Sequence, residues 1–320
     1  MREFIRDDDS RLRVVGGFRQ FLLDYRQPTT PRATWTEAEY AAAATKKRSR
    51  AERLLESFRH WSVPLDGVAL LDVACGDGSN VLVLGEQPAR ILVGIDLELP
   101  LFTPNGRGEQ ARRLAATMGQ ASGALPPGTT QFARMNATSL GFATGTFDVL
   151  MSRSATEHIR PIEPALQEMV RVVKGGGLIH LSIDPYYWVR GCHKRGIVDI
   201  PWAHARLTLS EYDRFVATHE GERVAARRYK RLDTLNRFTV AEWRQVIDQM
   251  GCEVLEWRQS YSTLGDQVLA RYPDVLATLL PGVTREDLLC ERIKVWLRNR
   301  PRANVTPRAP TCAPAPRARS

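Results

Sequence analysis

A glycine turn that follows an acidic, apolar run is the segment of this sequence with the clearest chemical potential. Residues 70–80 read LLDVACGDGSN, and Gly76 and Gly78 allow the backbone to approach a bound ligand closely. A dinucleotide site needs a third glycine where Val81 stands, and Asp72 would repel phosphate groups held by the turn. Because a carboxylate attracts a cation, the turn favours a positively charged ligand.

Residues 70–80 resemble motif I of the class I S-adenosylmethionine-dependent methyltransferases, whose methyl donor is a sulfonium cation. Within that family the pattern is most similar to the small-molecule branch, which includes the ubiquinone and menaquinone methyltransferases. The resemblance implies S-adenosyl-L-methionine as the cofactor. It also implies that the methionine part of this cofactor is held by Asp72, Ala74, Gly76 and Gly78.

Further segments resemble landmarks of the same family, in the same order along the chain. The sequence VGID ends with Asp96, which by this resemblance accepts hydrogen bonds from the ribose hydroxyls, beside Leu97. Asn136 and Ala137 are implied to border the adenine. Asn136 stands where the family usually has Asp, and its amide oxygen can still accept a hydrogen bond.

Two more landmarks follow the fourth strand of the family's fold. Residues 146–159, TFDVLMSRSATEHI, resemble that strand and the loop beneath the donor, which implies cofactor contacts for Ser152 and Arg153. Residues 171–177, RVVKGGG, resemble the turn before strand five, with Gly175 in place of proline. The tetrad [DN]-P-P-[YFW] of nucleic-acid amino-methyltransferases is absent after the fourth strand, so this class is disfavoured.

Three histidines are candidates for the general base that a hydroxyl or an activated carbon acceptor requires. His158 lies in the loop implied to sit beneath the donor and is the first choice, with a place in the cofactor-site wall as its alternative role. His193 and His204 lie in an aromatic segment, where their alternatives are packing and surface exposure. Together with Asp184 they match no compact metal-ligand spacing, so no metal is expected.

The aromatic segment, residues 185–238, interrupts the pattern of strands and helices, and we interpret it as an inserted lid over the acceptor. Its aromatic residues either line an apolar acceptor cleft or form the lid's own core: Tyr186, Tyr187, Trp188, Trp202 and Tyr212. Its basic residues either suit an acidic acceptor or face water: Arg190, Lys194, Arg195 and Arg206. Both pairs of alternatives stay open at the level of sequence.

Short apolar runs that alternate with longer segments predict the elements that position these residues. Strands are expected at 68–73, 91–95, 131–135, 147–151, 178–183, 252–260 and 291–298. Helices are expected at 11–25, 36–58, 161–173 and 239–250, with a further helical stretch at 266–280. This alternation is typical of βαβ units. The predicted fold class is α/β, with a Rossmann-like, seven-stranded, mostly parallel sheet, helices on both faces, an N-terminal helical cap and a lid inserted after strand five.

The predicted organisation divides the 320 residues into five parts. They are an N-terminal helical cap over 1–66, a donor-binding core over 67–184, the lid over 185–238, the completion of the core over 239–300 and a disordered tail over 301–320. The length is compatible with about two domains, or with one α/β domain and extensions.

The net charge of +9 arises from 45 Lys and Arg against 36 Asp and Glu. Four of these cations, Arg302, Arg308, Arg317 and Arg319, lie in the proline-rich tail, which has little apolar surface to bury. The other basic clusters are interrupted and typical of solvated helix faces. A nucleic-acid partner is therefore disfavoured, and self-association into a homo-oligomer stays open.

Cysteine usage and hydropathy limit the cellular compartments in which this protein is expected. The five cysteines are widely spaced and include no CxxC pair, which favours a reducing compartment over a disulfide framework. The first residues lack the apolar region of a signal peptide, and no run approaches the roughly eighteen apolar residues of a membrane span. A cytoplasmic protein without membrane contact is expected.

Three hypotheses about function follow. The first is methylation of a small molecule, most consistent with O-methylation of a secondary metabolite or sugar hydroxyl, with a histidine as the general base. The second keeps the enzyme class but places the acceptor on RNA or protein, through the basic tail. The third is a protein that binds S-adenosylmethionine on the same fold without transferring the methyl group.

Overall fold

Seven strands form one sheet, and each of the seven predicted strands is part of it. The computed structural model describes residues 2–24, 35–63, 65–118 and 130–301. Its strands are β1 Glu3–Ile5, β2 Arg11–Arg13, β3 Ala69–Val73, β4 Ile91–Asp96, β5 Thr130–Arg134, β6 Phe147–Arg153, β7 Val173–Ile183, β8 Glu253–Tyr261 and β9 Cys290–Arg298. The large sheet has the order β5-β4-β3-β6-β7-β9-β8. Its first five strands are parallel and β9 pairs antiparallel with both neighbours, so the prediction of a mostly parallel, Rossmann-like sheet is confirmed.

The centre of the sheet positions the glycine turn. All five residues of β3 are buried, as expected for a parallel strand that is covered on both faces. Leu71 of β3 lies opposite Val93 of β4 on one side and Leu150 of β6 on the other. Because these strands are parallel, their carboxyl ends and the segments that follow them meet at one edge of the sheet.

Strand β7 is longer than predicted at its beginning. It starts at Val173, so Gly175 and the glycines after it lie inside the strand and do not form a separate turn. The register with β6 shifts between Phe147 and Val149, and Gly176 has a φ of +82°. The glycines therefore form an irregularity in the strand, which is a common use of glycine in sheets.

The helices are α1 Phe18–Asp24, α2 Glu37–His60, α3 Ser79–Leu84, α4 Gly106–Thr117, α5 Ile162–Val172, α6 His193–Gly196, α7 Ala203–Arg206, α8 Leu209–Glu220, α9 Glu222–Leu232, α10 Val240–Asp248, α11 Thr263–Arg271 and α12 Arg285–Leu289. The predicted helices at 36–58, 161–173 and 239–250 are confirmed as α2, α5 and α10. The start of α2 has the capping box that the sequence indicates, in which Thr36 and Glu39 each accept the other's backbone N–H.

Helices cover both faces of the sheet. On one face, Leu54 and Phe58 of α2 pack against Leu70 of β3, and α3 and α4 join α2 in a neighbouring cluster. On the other face, Leu166 of α5 and Trp243 of α10 share a core with the alternate strand positions. Since successive side chains of a strand point to opposite faces, each central strand contributes to both cores.

The N-terminal residues correct the prediction of one helical cap over 1–66. Residues 11–25 were predicted as a helix, but β2 pairs antiparallel with β1, and α1 begins only at Phe18. In this hairpin Phe4 and Leu12 are buried while their chain neighbours are exposed. That period of two residues is typical of a strand and explains why the segment is not helical.

The hairpin and α1 pack on the insert and not on the glycine turn. The backbone N–H of Val15 donates to the carbonyl of Asp199 at 2.7 Å, and the N–H of Arg19 donates to the Asp199 carboxylate at 2.8 Å. Among the described residues before β3, α2 is therefore the helix that packs on the donor-binding part of the sheet.

The insert has a continuous hydrophobic core that also includes the hairpin, α11 and α12. Tyr186, Trp202 and Tyr212 are buried in this core, and the Trp202 indole donates to the carbonyl of Tyr187 at 3.2 Å. Of the two alternatives for the aromatic residues, the structure favours a core of the insert itself. The tail from residue 302 onward, predicted to be disordered, lies outside the described residues.

Candidate functional site

Hydrogen bonds at the carboxyl edge join the ends of β3, β4 and β5. The N–H of Gly76 donates to Oδ2 of Asp96 at 2.9 Å, and the N–H of Cys75 donates to the carbonyl of Ile95 at 2.9 Å. The N–H of Met135 donates to the backbone carbonyl of Asp96 at 3.0 Å. The structure thus brings together three segments that the sequence assigned to the cofactor, those of Gly76, Asp96 and Asn136.

The glycine turn follows a left-handed path that few side chains accept. Ala74, Gly76 and Gly78 have φ angles of +58°, +60° and +74°. A Cβ on Gly78 would lie 2.8 Å from the ring of Phe132, so a side chain here would displace that ring. Ala74 is not a glycine and carries backbone strain, which costs roughly 1–2 kcal/mol for an L-residue in this region. Strain of this kind persists only where the surrounding structure enforces it.

Asp96 and Leu97 form an open surface beside the turn. Leu97 is 68% exposed and directly follows the carboxylate. Asn136 is exposed nearby on the chain after β5, and its Oδ1 accepts the N–H of Thr138 at 3.0 Å. A carboxylate next to an apolar side chain suits a nucleoside, because the sugar hydroxyls donate hydrogen bonds while the base needs an apolar contact.

Two predicted cofactor contacts, Asp72 and Ser152, are not on this open surface. Asp72 is 1% exposed and its side chain lies on the α2 face of the sheet, because strand alternation places it with Leu70. Burial raises the pKa of Asp72 to about 7, although the guanidinium of Arg153 opposes the shift. Ser152 is fully buried within β6. Both side chains are buried in the sheet, on opposite faces, so direct contact with a ligand on the open surface is disfavoured.

Arg153 lies on the same face as Asp72. Its guanidinium donates to Oδ1 of Asn80 at 3.4 Å. Burial lowers the pKa of Arg153, and the positive charge of Arg50 is the next largest cause. Asn80 belongs to α3, which begins directly after the glycine turn. We therefore find that Arg153 connects the end of β6 to the base of the turn.

Two of the three predicted histidines come together. His158 ends a short 3-10 helix, Thr156–His158, behind β6, and His193 begins α6 in the insert. Their imidazole rings are stacked, with 4.9 Å between the centroids and 9° between the planes. His193 has a φ of +56°. Histidine is one of the residue types, with asparagine and aspartate, that adopt a positive φ more often than other non-glycine residues, so this angle by itself assigns no role.

His204 does not join this pair, which corrects its prediction as a base. It is buried in the core of the insert, where its Nε2 lies 3.0 Å from the carbonyl of Trp188. Burial lowers its pKa to about 4, despite that hydrogen bond. A neutral histidine in a closed hydrophobic core has no access to an acceptor, so His204 is a packing residue.

Glu157 is a candidate that sequence reasoning missed. It is 2% exposed, and within the described residues neither of its carboxylate oxygens has a hydrogen-bond partner. Burial, followed by repulsion from Asp184, raises the pKa of Glu157 to about 8. Asp184 itself pairs with Arg292 at 2.9 Å. Its position directly before His158 was the only signal in the sequence, and burial of the carboxylate is not visible there.

Asp77 in the turn was also missed. Its Oδ2 lies 2.5 Å from Nζ of Lys47, and its Oδ1 accepts the N–H of Ser79 at 3.2 Å. Burial opposes ionisation of Asp77, but Lys47 and these hydrogen bonds hold its pKa below the ordinary value. The ion pair joins α2 to the turn and fixes how the helix covers it.

Comparisons with known proteins agree with these motifs. Residues 71–181 match a family model described as a methyltransferase domain. A ubiquinone biosynthesis O-methyltransferase of Rhizobium rhizogenes is 30% identical over 122 residues, 37% of this chain and 42% of the relative. A 2-methyl-6-phytyl-1,4-hydroquinone methyltransferase of Synechocystis sp. is 31% identical over 114 residues, 35% of this chain and 31% of the relative. The matched region thus spans less than half the length of these curated relatives.

A solved S-adenosylmethionine-dependent methyltransferase of Mesorhizobium loti aligns with a TM-score of 0.44 and 14% identity, over 76% of this chain and 96% of its own. None of the described helices is long and apolar enough to cross a membrane. The matched family model covers β3 to β7, the strands whose ends carry the glycine turn, Asp96 and the loop of His158. Motifs, strand order and family model therefore agree on a methyltransferase domain over residues 71–181, which is similar to the class I S-adenosylmethionine-dependent methyltransferases.

Proposed function

We propose that this chain transfers a methyl group from S-adenosyl-L-methionine to a hydroxyl of a small molecule. The observation that carries the proposal is the contact of Gly76 with Asp96, which holds the glycine turn and the acidic strand end in one continuous edge. The cofactor, when bound, supplies an electrophilic methyl group on sulfur. The remaining chemistry is positioning of the acceptor and removal of its proton.

The residues present fit this cofactor. Asp96 has carboxylate lone pairs for the ribose hydroxyls, and Leu97 offers an exposed apolar surface for the adenine. The turn from Ala74 to Gly78 keeps side chains away from the methionine part, since the φ angles are positive and a Cβ on Gly78 would meet Phe132. Asp72 and Arg153 support the turn from below as positioning residues.

His158 is proposed as the general base that takes the proton of the acceptor hydroxyl. It lies in the loop after β6, and the stacked ring of His193 limits its rotation. A fixed base close to the reacting oxygen is worth roughly 10²–10⁴ in rate. Burial, followed by repulsion from Asp184, raises the pKa of Glu157, which favours the neutral form of the carboxyl that directly precedes this base.

The class of acceptor is supported by the relatives. One relative is named as an O-methyltransferase of ubiquinone biosynthesis, and another is named for a hydroquinone without naming the methylated atom. We therefore propose a hydroxyl-bearing secondary metabolite or sugar as the acceptor for this chain. The insert contributes a wall of the acceptor site, while its large aromatic side chains are committed to its own core.

A transfer assay with methyl-labelled S-adenosylmethionine tests the proposal. The purified chain is incubated with panels of ring hydroxyls, sugar hydroxyls, amines and RNA, with Asp96→Ala as the blank. We expect label in an ether product of a hydroxyl acceptor. Label in RNA would place the acceptor on a macromolecule, and donor binding without transfer to any panel would favour a protein that binds the cofactor only.

A further inference from the structure

A basic cavity lies on the α2 face of the sheet, away from the open edge that holds Asp96 and Leu97. Its volume is about 370 Å³, and it is bounded by the second half of α2 and by strands β6 to β9. Five cationic side chains line it, namely Arg50, Arg53, Arg153, Arg258 and Lys294. The cavity is within the roughly 300–1,000 Å³ range of small-molecule sites.

The positive charge of this cavity is poorly balanced. Arg258 pairs with Glu256 at 2.6 Å, and Glu56 also lines the cavity. In the part of the chain that the structure describes, neither Arg50, Arg53 nor Lys294 forms an ion pair with a carboxylate. Burial and then neighbouring arginines lower the pKa of Lys294, so these cations repel one another where no anion lies between them. Like charges held together at a cost are a common mark of a ligand site.

One wall of the cavity is aromatic. The rings of His180 and Trp296 are stacked, 4.3 Å apart at 23°, and Trp61 lies 6.4 Å from Trp296. Burial, followed by the charge of Arg153, lowers the pKa of His180 to about 3, so this ring is neutral. Cationic side chains above a flat apolar wall suit a ligand that combines an anionic group with a planar or apolar part.

We propose that this cavity binds a small polyanion, with phosphate groups or adjacent carboxylates held by Arg53, Arg153 and Lys294. Arginine forks match both kinds of group in geometry, and the cavity has room for a small molecule rather than a polymer. The inference goes beyond methyl transfer, because the cavity lies on a face of the sheet and not at the donor edge. Arg153 links the two, since it also contacts Asn80 beneath the glycine turn.

Titration calorimetry with pyrophosphate and with citrate, in roughly 0.15 M salt to screen long-range attraction, tests the proposal. The cavity variant is Arg53→Gln with Lys294→Gln. The matched control is Lys46→Gln with Arg59→Gln, which removes the same charges from exposed positions of α2 outside the cavity. We expect saturable binding of at least one probe, weakened about tenfold or more in the cavity variant and within about twofold in the control.

Two results would overturn the proposal. One is the absence of saturable binding of either probe to the wild-type chain, and the other is an equal loss of affinity in both variants, which would indicate net charge alone. Thermal unfolding of both variants shows whether they are folded. Because the readout is binding, failure of the transfer assay leaves this test unaffected.

The source of the polyanion is settled by kinetics with an acceptor found in the transfer assay. Competition between pyrophosphate and the acceptor would identify the anion as part of the acceptor. A changed affinity for the donor without such competition would identify a separate effector that acts through Arg153. Both results identify this cavity as the polyanion site, and they differ only in which molecule occupies it.

Discussion

The imidazole of His158 is stacked on that of His193, with the ring centroids 4.9 Å apart and the planes within 9° of parallel. One ring belongs to the loop behind β6 and the other to the first turn of α6 in the insert. The contact thus joins the donor-binding core to the insert at the loop that carries the proposed base. His158, the first choice at the level of sequence, is the base in our proposal, and His193 is its positioning residue.

Substitution of the two histidines should separate these roles. We expect His158→Gln to lower kcat by about 100-fold, which is typical of a lost general base, and to remove the acidic limb of the pH profile of kcat. His193→Phe keeps an aromatic ring in the stack and should keep kcat within about threefold, whereas His193→Ala should lower it about tenfold through loss of orientation. Steady-state kinetics across pH measures all three.

The comparison of the two His193 variants is the control for this assignment. If His193→Phe lost as much activity as His158→Gln, His193 would be the general base that takes the proton of the acceptor. An unchanged pH profile of kcat in His158→Gln would show that the general base is not in this loop.

Asp96 is the residue on which donor binding should depend most. We expect Asp96→Asn to weaken binding of S-adenosylmethionine about 100-fold or more, because two hydrogen bonds to a charged acceptor are each worth roughly 1.5–3 kcal/mol. The amide oxygen of the variant can still accept the N–H of Gly76, so the turn should remain folded. Titration calorimetry measures the affinity.

Glu98→Gln is the matched control for Asp96, since this neighbouring carboxylate is exposed and pairs with Arg107. Its affinity for the donor should remain within about twofold of the wild type, as expected for an exposed ion pair. Wild-type affinity in Asp96→Asn would place the donor elsewhere.

The strands were predictable from sequence because buried parallel strands have continuous apolar runs, as in β3 and β4, between segments of helical length. The position of Asp96 at the end of β4 was predictable as the last residue of such a run, whereas its proposed contact with the ribose came from the resemblance to the methyltransferase family. It was harder to predict on which face of the sheet each side chain lies. Asp72 was also expected to contact the cofactor. The alternation of side chains along β3 instead places it under α2, where contacts between distant segments bury it.

Glu157 shows a second limit of sequence reasoning. Its burial depends on the insert, since the N–H of Asn236 donates to the Glu157 carbonyl at 2.7 Å. The hairpin β1–β2 is similar, because its two buried apolar residues are too few to distinguish a strand from a helix until they meet the core of the insert. Both features result from contacts that are distant in sequence, which local propensity does not report.

Ala74 should be replaceable by glycine with a gain in stability. Relief of the positive φ is worth roughly 1–2 kcal/mol, and the added freedom of glycine in the unfolded chain costs about 0.5–1 kcal/mol. We expect Ala74→Gly to raise the free energy of unfolding by about 0.5–1 kcal/mol in chemical denaturation. Ala42→Gly, at an exposed position within α2, should lower it by about 1 kcal/mol, and a loss in both variants would contradict the assigned strain.

His204 should make the fold sensitive to acid. Its folded pKa of about 4 lies below the ordinary value, so its contribution to stability is present above about pH 6.5 and is lost as the pH falls through 4. In His204→Gln this loss is absent. The free energy of unfolding of the variant, relative to wild type, should therefore rise by about 2 kcal/mol between about pH 7 and pH 5. His60→Gln, at an exposed position, should show no such trend, and parallel curves for His204→Gln would contradict its buried neutral state.

Glu157 should make the fold sensitive to alkali, which is the opposite pH dependence of stability from that of His204. Its folded pKa of about 8 lies above the ordinary value because of burial and the charge of Asp184, so the folded state holds a proton that the unfolded state releases above about pH 4.5. Its contribution to stability is complete below that pH and is lost as the pH rises through 8. Glu157→Gln keeps the neutral form at every pH, so its stability relative to wild type should increase from about pH 5 to pH 8, by at most about 1.4 kcal/mol per unit. Glu52→Gln, on the exposed side of α2, should differ from wild type by less than about 0.5 kcal/mol throughout. A flat difference for Glu157→Gln, measured by denaturation at each pH, would mean that the carboxylate is already ionised in the folded protein and that a second charge lies beside His158.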